Sequence, residues 1–82
     1  MKARVTVTPR RGVLDPQGKA VHHALLSLGF EGVRDVRVGR SIEVVLEGNP
    51  SEMDARRMLD EMCKRLLTNP LIEDYAIALE ES

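Results

Sequence analysis

The amino-acid sequence predicts an α+β fold, in which two helices cover one face of an antiparallel sheet. Side chains alternate between apolar and polar in four short stretches, and apolar side chains recur with helical spacing in two longer ones. These stretches follow one another in the order β-α-β-β-α-β. Two right-handed β-α-β crossovers satisfy that order most simply and place both helices on one sheet face. The expected two-layer sandwich would form oligomers through its uncovered sheet face and its sheet edges.

The first strand and the first helix have clear local signals. Apolar and polar side chains alternate over residues 3–8, up to Pro9, as in a half-buried strand. A helix is expected over residues 16–28, because Asp15 can cap its N-terminus and Gly29 can end it. The apolar stripe of this helix, spaced to face the sheet, comprises Val21, Ala24, Leu25 and Leu28.

The middle of the chain predicts a tight hairpin. Val36 and Val38 alternate with polar residues, and a second alternation covers residues 42–47. Gly39 and Arg40 lie between these stretches, and glycine permits the positive φ angle that tight hairpin turns require. We therefore expect the second and third strands to pair through this turn.

The second helix and the last strand complete the predicted fold. Ser51, with Asp54 three residues later, is typical of a helix start, while Asn69 in a left-handed conformation and Pro70 would end the helix. Residues 74–79 alternate again as a fourth strand. The helix is expected to bury a broad apolar face, made of Ala55, Met58, Leu59, Met62, Cys63, Leu66 and Leu67.

Length and charge narrow the class of protein. A chain of 82 residues forms one domain, residues 1–82, and buries only about 60–65% of the surface that it exposes when unfolded. Oligomerisation is therefore expected to supply part of its stability. The formal net charge is −1, with one Phe and one Tyr, so neither a basic surface nor an aromatic platform for nucleic acid is present.

The sequence offers no recognisable catalytic or metal site. Cys63 is the only cysteine, which excludes an internal disulfide and a CxxC motif, and we expect a buried thiol in a reducing compartment. His22 and His23 are adjacent on a helix and diverge by about 100°, so they cannot share a ligand. No segment is apolar over the length of a membrane span, and a cytoplasmic protein is expected.

The start of the first helix has one unusual feature. Gly18 in the first turn costs roughly 1 kcal/mol relative to alanine and leaves the backbone bare. An anion or another protein chain could approach there, with Gln17 and Lys19 on either side. A plain helix start with an indifferent glycine is an equally good interpretation.

Polar strings lie at the ends of the predicted elements: LDPQGKAV, DVRVGR and TNPLIEDY, which begin at residues 14, 35 and 68. In this order and spacing they resemble the PurS family, the small subunits of phosphoribosylformylglycinamidine synthase in purine biosynthesis. The resemblance runs from about Val5 to Glu80. The sequence departs from the family pattern in the loop RRG and in the segment GNPSEMDA, and no function is assigned to either segment from the resemblance.

The resemblance implies a part in an ATP- and glutamine-dependent ligase that converts formylglycinamide ribonucleotide to formylglycinamidine ribonucleotide. A synthetase subunit would use ATP and magnesium, and a glutaminase subunit would supply ammonia. The small subunit is implied to have no catalytic residue, cofactor or metal of its own. It would join the two larger subunits for ammonia transfer, as a homodimer or homotetramer, without nucleic acid or a membrane as partner.

The residues expected to contact partner subunits lie in the three polar strings. Asp15 and Asn69 could equally serve only as helix caps, whereas Arg37 is predicted on the uncovered face of the sheet. The expected contact residues are Asp15, Gln17, Gly18, Lys19, Arg37, Arg40, Asn69, Glu73, Asp74 and Tyr75.

Two other functions are compatible with the sequence. A small α+β module could regulate metabolism by binding a metabolite between subunits, which predicts saturable ligand binding by the isolated chain. A small phosphate-transferring enzyme could use Arg10 or Arg11 in the first loop. The absence of a recognisable general base argues against the enzyme.

Overall fold

A computed structural model describes residues 1–80, so residues 81–82 of the predicted domain lie outside the described part. Within it, three strands and two α-helices alternate along the chain, and the second helix continues into a π-helical turn. Their bounds are Lys2–Pro9 (β1), Pro16–Ser27 (α1), Arg40–Val45 (β2), Glu52–Met62 (α2), Cys63–Leu67 (the π-helical turn) and Glu73–Glu80 (β3).

The three strands form one antiparallel sheet with β1 in the middle, in the order β2-β1-β3. Val5 of β1 lies opposite Ile42 of β2 and Ile77 of β3. Cross-strand partners point to the same side of a sheet, so the alternation of apolar residues in each strand combines into one apolar face. The predicted α+β class with an antiparallel sheet is confirmed.

The predicted strand at Val36–Val38 is wrong, and so is the hairpin at Gly39 and Arg40. Residues 33–39 form neither helix nor strand, and the N–H of Val38 donates to Asp15 instead. Gly39 does not have a positive φ angle. Its missing side chain serves a different purpose, because a Cβ there would overlap the carbonyl oxygen of Val7 where β2 joins the sheet.

The core lies between α2 and the apolar face of the sheet. Ala55, Leu59 and Cys63 are fully buried on α2 and the turn that follows it, against three fully buried residues of β1. Met58 and Leu66, predicted to be buried, are 41% and 82% exposed. A π-helical turn is wider than an α-helical one, so Leu66 turns away from the core while Cys63 and Leu67 stay packed in it.

Helix α1 packs against neither the sheet nor α2, so the prediction that both helices cover one face is wrong. Because residues 33–39 are not a strand, β1 and β2 are antiparallel neighbours and need no crossover helix between them. The apolar stripe of α1 is largely uncovered, with Val21 42% and Leu28 73% exposed.

A long excursion of the chain, residues 15–38, is therefore held together by contacts of its own, and we call it the arm. Asp15 Oδ2 accepts the N–H of Val38 at 3.0 Å, and His22 Nε2 donates to the carbonyl of Val33 at 2.7 Å. These two bonds hold the returning segment, residues 33–38, beside α1.

The helix ends agree with the sequence except at Asn69. Gly29 has φ +99°, and the N–H groups of Gly29 and Phe30 donate to carbonyls of the last turn of α1, as a glycine stop requires. Ser51 caps α2 by accepting the N–H of Asp54 at 3.1 Å. Asn69 is not left-handed, because Thr68 is already extended and ends the helix.

The arm makes the protomer long and thin. Its extents are 49 × 27 × 14 Å and its radius of gyration is 16.0 Å, against about 12 Å for a compact chain of this length. None of the helices within residues 1–80 has the length and apolar content needed to cross a bilayer. One face of the sheet and the apolar stripe of α1 are left without an intramolecular cover.

Candidate functional site

The predicted contact residues, far apart in sequence, meet at one end of the sheet. Because β1 is antiparallel to both neighbours, its C-terminal end lies beside the N-terminal ends of β2 and β3. Val7 is opposite Arg40 and Tyr75, and Pro9 is opposite Glu73. The arm begins just beyond this end, so all three polar strings contribute to one surface.

Asp15 has two structural roles at the start of the arm. Its Oδ1 accepts the N–H of Gly18 and its Oδ2 accepts the N–H of Val38, each at 3.0 Å. These backbone hydrogen bonds favour the carboxylate and lower the pKa of Asp15. The predicted cap is confirmed, and the same side chain also holds the returning segment of the arm.

Gly18 is buried, and its bare backbone is already occupied by the chain itself. A Cβ at this position would lie 2.5 Å from the carbonyl oxygen of Val36 and closer still to the carboxylate of Asp15. The glycine is needed so that residues 36–38 can approach the first turn of α1. It is not a bare spot left open for an anion or a partner.

Three other predicted residues of this region remain on the surface. Gln17 and Lys19 are exposed on the first turn of α1. Arg37 is also exposed, and its guanidinium donates to the carbonyl of Pro9 at 3.1 Å. The prediction that Arg37 lies on a sheet face is therefore wrong. Arg37 instead joins the arm to the end of β1.

Arg40 and Glu73 connect the two outer strands. The guanidinium of Arg40 donates to both carboxylate oxygens of Glu73 at 2.7 and 3.1 Å, and to the carbonyl of Leu67 at 2.6 Å. The N–H of Asn69 donates to the same carboxylate at 2.7 Å. Arg40 and this amide lower the pKa of Glu73, and Glu73 raises the pKa of Arg40. The pair fixes where β2 and β3 begin.

Arg10 is a residue of this end that the sequence did not single out as a contact. It donates to the carbonyls of Pro70 at 2.6 Å and Glu73 at 3.4 Å, and it forms an ion pair with Asp74 at 3.4 Å. Its position directly after β1 is the feature of the sequence that could have indicated these contacts. In an antiparallel sheet that position faces the segment leading into the neighbouring strand.

Tyr75 joins β3 to α2. Its hydroxyl donates to the carboxylate of Asp60, which also pairs with Lys64 at 2.9 Å. The hydrogen bond to Asp60, with partial burial, raises the pKa of Tyr75 to about 12 and lowers the pKa of Asp60. Asp60 was not predicted, since nothing in its local sequence reveals a partner 15 residues away.

The polar groups at this end of the molecule stabilise the fold. The carboxylates of Asp15, Glu73 and Asp74 each bind an amide or an arginine, so none is poised as a free base. The thiol of Cys63 is buried, which raises its pKa and keeps it neutral. Within residues 1–80 no group of three or more His, Cys, Asp or Glu side chains could hold a metal ion.

The predicted contact residues divide by accessibility. Asp15, Gly18, Glu73 and Tyr75 are buried or half-buried and serve the fold. A contact role for any of the set stays a prediction, but the residues free to meet another chain are the exposed ones. These are Gln17, Lys19, Arg37, Arg40, Asn69 and Asp74.

The chain is similar to known proteins over its whole length. A family model described as PurS, phosphoribosylformylglycinamidine (FGAM) synthase, matches residues 2–81. The phosphoribosylformylglycinamidine synthase subunit PurS of Bacillus subtilis is 44% identical over 98% of this chain and 93% of its own. The subunit of the same name from Methanocaldococcus jannaschii is 40% identical over 98% and 95%.

Solved structures have the same protomer shape. The B. subtilis PurS crystal structure superposes with a TM-score of 0.80 over 98% of both chains. A chain in the structure of PurLQS from Thermotoga maritima has a TM-score of 0.81, is 28% identical, and matches 94% of this chain and 93% of its own length. The chain therefore belongs to the PurS family of phosphoribosylformylglycinamidine synthase subunits.

Proposed function

We infer that this chain is the small assembly subunit of phosphoribosylformylglycinamidine synthase. The observation that carries the proposal is the full-length match to PurS subunits together with the likeness to a chain of the T. maritima PurLQS structure. The geometry supports a non-catalytic role, because the polar groups at the converging element ends are engaged in holding the fold.

The proposed reaction is carried out by larger partners. A synthetase subunit uses ATP and magnesium to phosphorylate the amide oxygen of formylglycinamide ribonucleotide, and ammonia from a glutaminase subunit displaces that phosphate. This chain holds the two subunits together, so that ammonia is transferred at a high local concentration. We place the complex in the cytoplasm, where a reducing medium suits a free thiol such as that of Cys63.

Reconstitution tests the assembly role. The two larger subunits are mixed with glutamine, ATP and the ribonucleotide, with and without this chain, and product is measured. We expect the chain to be required when glutamine is the nitrogen source, and much less so when concentrated ammonium salt replaces glutamine. Equal glutamine-dependent rates in the two mixtures would remove the proposal.

The exposed cations at the arm are proposed to contact a larger subunit. Replacing Lys19 and Arg37 by alanine removes one hydrogen bond between the arm and β1, should leave the sheet and α2 folded, and should weaken the complex observed by native mass spectrometry. The matched control replaces Arg57 and Lys64, a cation pair of the same types on exposed positions of α2 and the following turn. If the variant at Lys19 and Arg37 forms complexes as stable as those of the unchanged chain, the assignment of these residues to the contact is wrong.

We also propose that the protein is a homodimer that associates through its arms. The backbone of residues 34–37 pairs with no strand, and the apolar stripe of α1 beside it is exposed. A second copy can satisfy both, because its arm presents the same unpaired backbone and the same apolar stripe. The extended shape of the protomer agrees with a chain whose core is completed by a partner.

Light scattering on size-exclusion fractions tests the dimer. Val21→Asp places a charge in the apolar stripe, and His23→Asp places the same charge on the other side of α1. We expect the mass of a dimer for the unchanged chain and for His23→Asp, and the mass of a monomer for Val21→Asp. A tetramer would contradict the dimer, and a dimer unaffected by Val21→Asp would contradict association through the arms.

A further inference from the structure

A cleft of about 440 Å³ opens where the arm joins the sheet. Its walls are the loop after β1, the first turn of α1 and the returning segment of the arm. Its charged lining consists of Arg10, Arg11, Lys19, Arg34 and Arg37, with the carboxylates Asp15 and Asp35.

Hydrogen bonds between the walls build the cleft in advance. Arg37 donates to the carbonyl of Pro9 at 3.1 Å, which joins the returning segment to the loop. Asp15 accepts the N–H of Val38 at 3.0 Å, which joins that segment to the helix. Gly12 turns the loop with φ +83°, a conformation that favours glycine. A preformed cleft binds a ligand without the cost of ordering its walls.

The cations of the cleft exceed the negative charges that face them. Asp15 is engaged by backbone amides, and Arg10 pairs with Asp74 outside the cleft. Arg11, Lys19 and Arg34 form no ion pair with any residue between 1 and 80. With Arg10 paired to Asp74, four other cations face two carboxylates, so this cleft is positive in a chain whose formal net charge is −1. A cleft whose positive charges are not neutralised by neighbouring carboxylates attracts an anion of high charge density.

The shape and lining specify the class of anion. The volume lies within the range of small-molecule sites, which is about 300–1,000 Å³. No aromatic ring is among the lining residues, so the cleft offers no platform for a nucleobase. Arginine forks and a lysine ammonium match the oxygens of a phosphoryl group. We propose that the cleft binds the phosphate groups of a small phosphorylated ligand through Arg11, Lys19 and Arg34.

Binding is tested on the purified full-length chain at low ionic strength by NMR titration of its backbone amides. The probes are pyrophosphate, ATP, ribose 5-phosphate and adenosine. Pyrophosphate should give saturable shifts confined to residues 10–19 and 34–38, and adenosine should give none. A larger affinity for ATP than for ribose 5-phosphate identifies a nucleoside triphosphate as the source of the phosphates, and the reverse identifies a phosphorylated ribose.

Two matched variants decide which residues bind. The triple substitution Arg11→Gln, Lys19→Gln and Arg34→Gln should weaken pyrophosphate binding at least about tenfold, since each removes a charge-assisted hydrogen bond. The control Arg57→Gln, Lys64→Gln and Arg65→Gln removes the same residue types from α2 and its π-helical turn and should bind as the unchanged chain does. Circular dichroism verifies that both variants fold.

A third variant should improve binding. Asp35→Asn removes the carboxylate that faces the cleft without an ion pair among residues 1–80, so pyrophosphate should bind a few-fold more tightly. The proposal is overturned if neither pyrophosphate nor ATP saturates the shifts, or if the control weakens binding as much as the cleft variant. Adenosine binding at the same residues would also overturn it.

Discussion

At the level of single residues, the side chains at element ends bond to backbone groups of distant segments. Asp15 accepts an N–H that is 23 residues further along the chain, and Arg40 donates to a carbonyl 27 residues away. A cap of this kind joins two segments, so its loss affects more than the helix that it starts. The sequence indicated that these residues lie at the ends of helices and strands, but it did not reveal which distant backbone groups they bind.

Gly18→Ala is expected to destabilise the protein, although alanine is normally the better residue in a helix. A Cβ at Gly18 meets Asp15 and the Val36 carbonyl, so the arm must open, and the free energy of unfolding should fall by about 1–3 kcal/mol. Gly32→Ala is the control, because a Cβ there meets nothing within 4 Å. Denaturant unfolding that shows equal stability for the two variants would contradict the packing at Gly18.

The titration of Tyr75 is directly observable because it is the only tyrosine in a chain without tryptophan. Its hydrogen bond to Asp60 raises its pKa to about 12, so tyrosinate absorbance should appear well above the ordinary value of 10. Asp60→Asn should bring the transition back towards 10. The stabilising effect of this bond is present below pH 10 and is lost as the pH rises through the raised pKa. Ionisation near 10 in a sample still folded by circular dichroism would contradict the contact.

At the level of elements, the position of each helix follows from which strands are neighbours. β2 and β3 are parallel to each other with β1 between them, so the connection through α2 must cross the sheet and covers its apolar face. β1 and β2 are adjacent and antiparallel, so the arm can leave and return at the same end. This difference explains why α2 is packed and α1 is not.

Leu59→Ala should show how much of the stability comes from the contact of α2 with the sheet. Leu59 is fully buried among residues of β1, and its loss should lower the free energy of unfolding by about 2–4 kcal/mol. Met58→Ala, at a neighbouring position that is 41% exposed, should cost less than about 1 kcal/mol. Denaturant unfolding measures both, and a larger loss for Met58→Ala would contradict the assigned core.

The ion pair that joins the starts of β2 and β3 predicts a pH dependence. Arg40 lowers the pKa of Glu73 below its ordinary value of 4.5, so the pair stabilises the fold above that pH. The contribution is lost as the pH falls through the lowered pKa. The denaturation midpoint of the unchanged chain should therefore exceed that of Glu73→Gln by a constant amount between about pH 6 and 8. The difference should shrink below pH 4.5, and a difference that grows there would contradict the pair.

At the level of the whole molecule, the protomer leaves large apolar side chains uncovered on the arm. Val21, Leu26, Leu28 and Phe30 are each at least 42% exposed, and within residues 1–80 neither the sheet nor α2 packs against α1. A small chain with little core gains stability when a second copy covers such residues.

Stability should therefore depend on protein concentration. If two copies fold together, the midpoint of thermal unfolding rises as the concentration of the chain rises. Val21→Asp, which removes the association, should give a lower midpoint that is independent of concentration. A midpoint of the unchanged chain that is constant over a hundredfold range, about two decades, would contradict a folded dimer.

The sequence by itself determined the α+β class, the positions of β1, α1 and α2, and the caps at Asp15 and Ser51. It also indicated the PurS family through three polar strings. These features depend on residues close together in the chain, where alternation, helical spacing and capping act.

Only the tertiary structure decided what became of residues 33–39 and where α1 lies. The alternation at Val36 and Val38 is typical of a strand, but the Val38 N–H is taken by Asp15 and the segment lies beside α1 instead of in the sheet. A strand needs a neighbour to bond to, and a helix needs a surface to cover. Both depend on competition among distant groups, which local sequence patterns do not record.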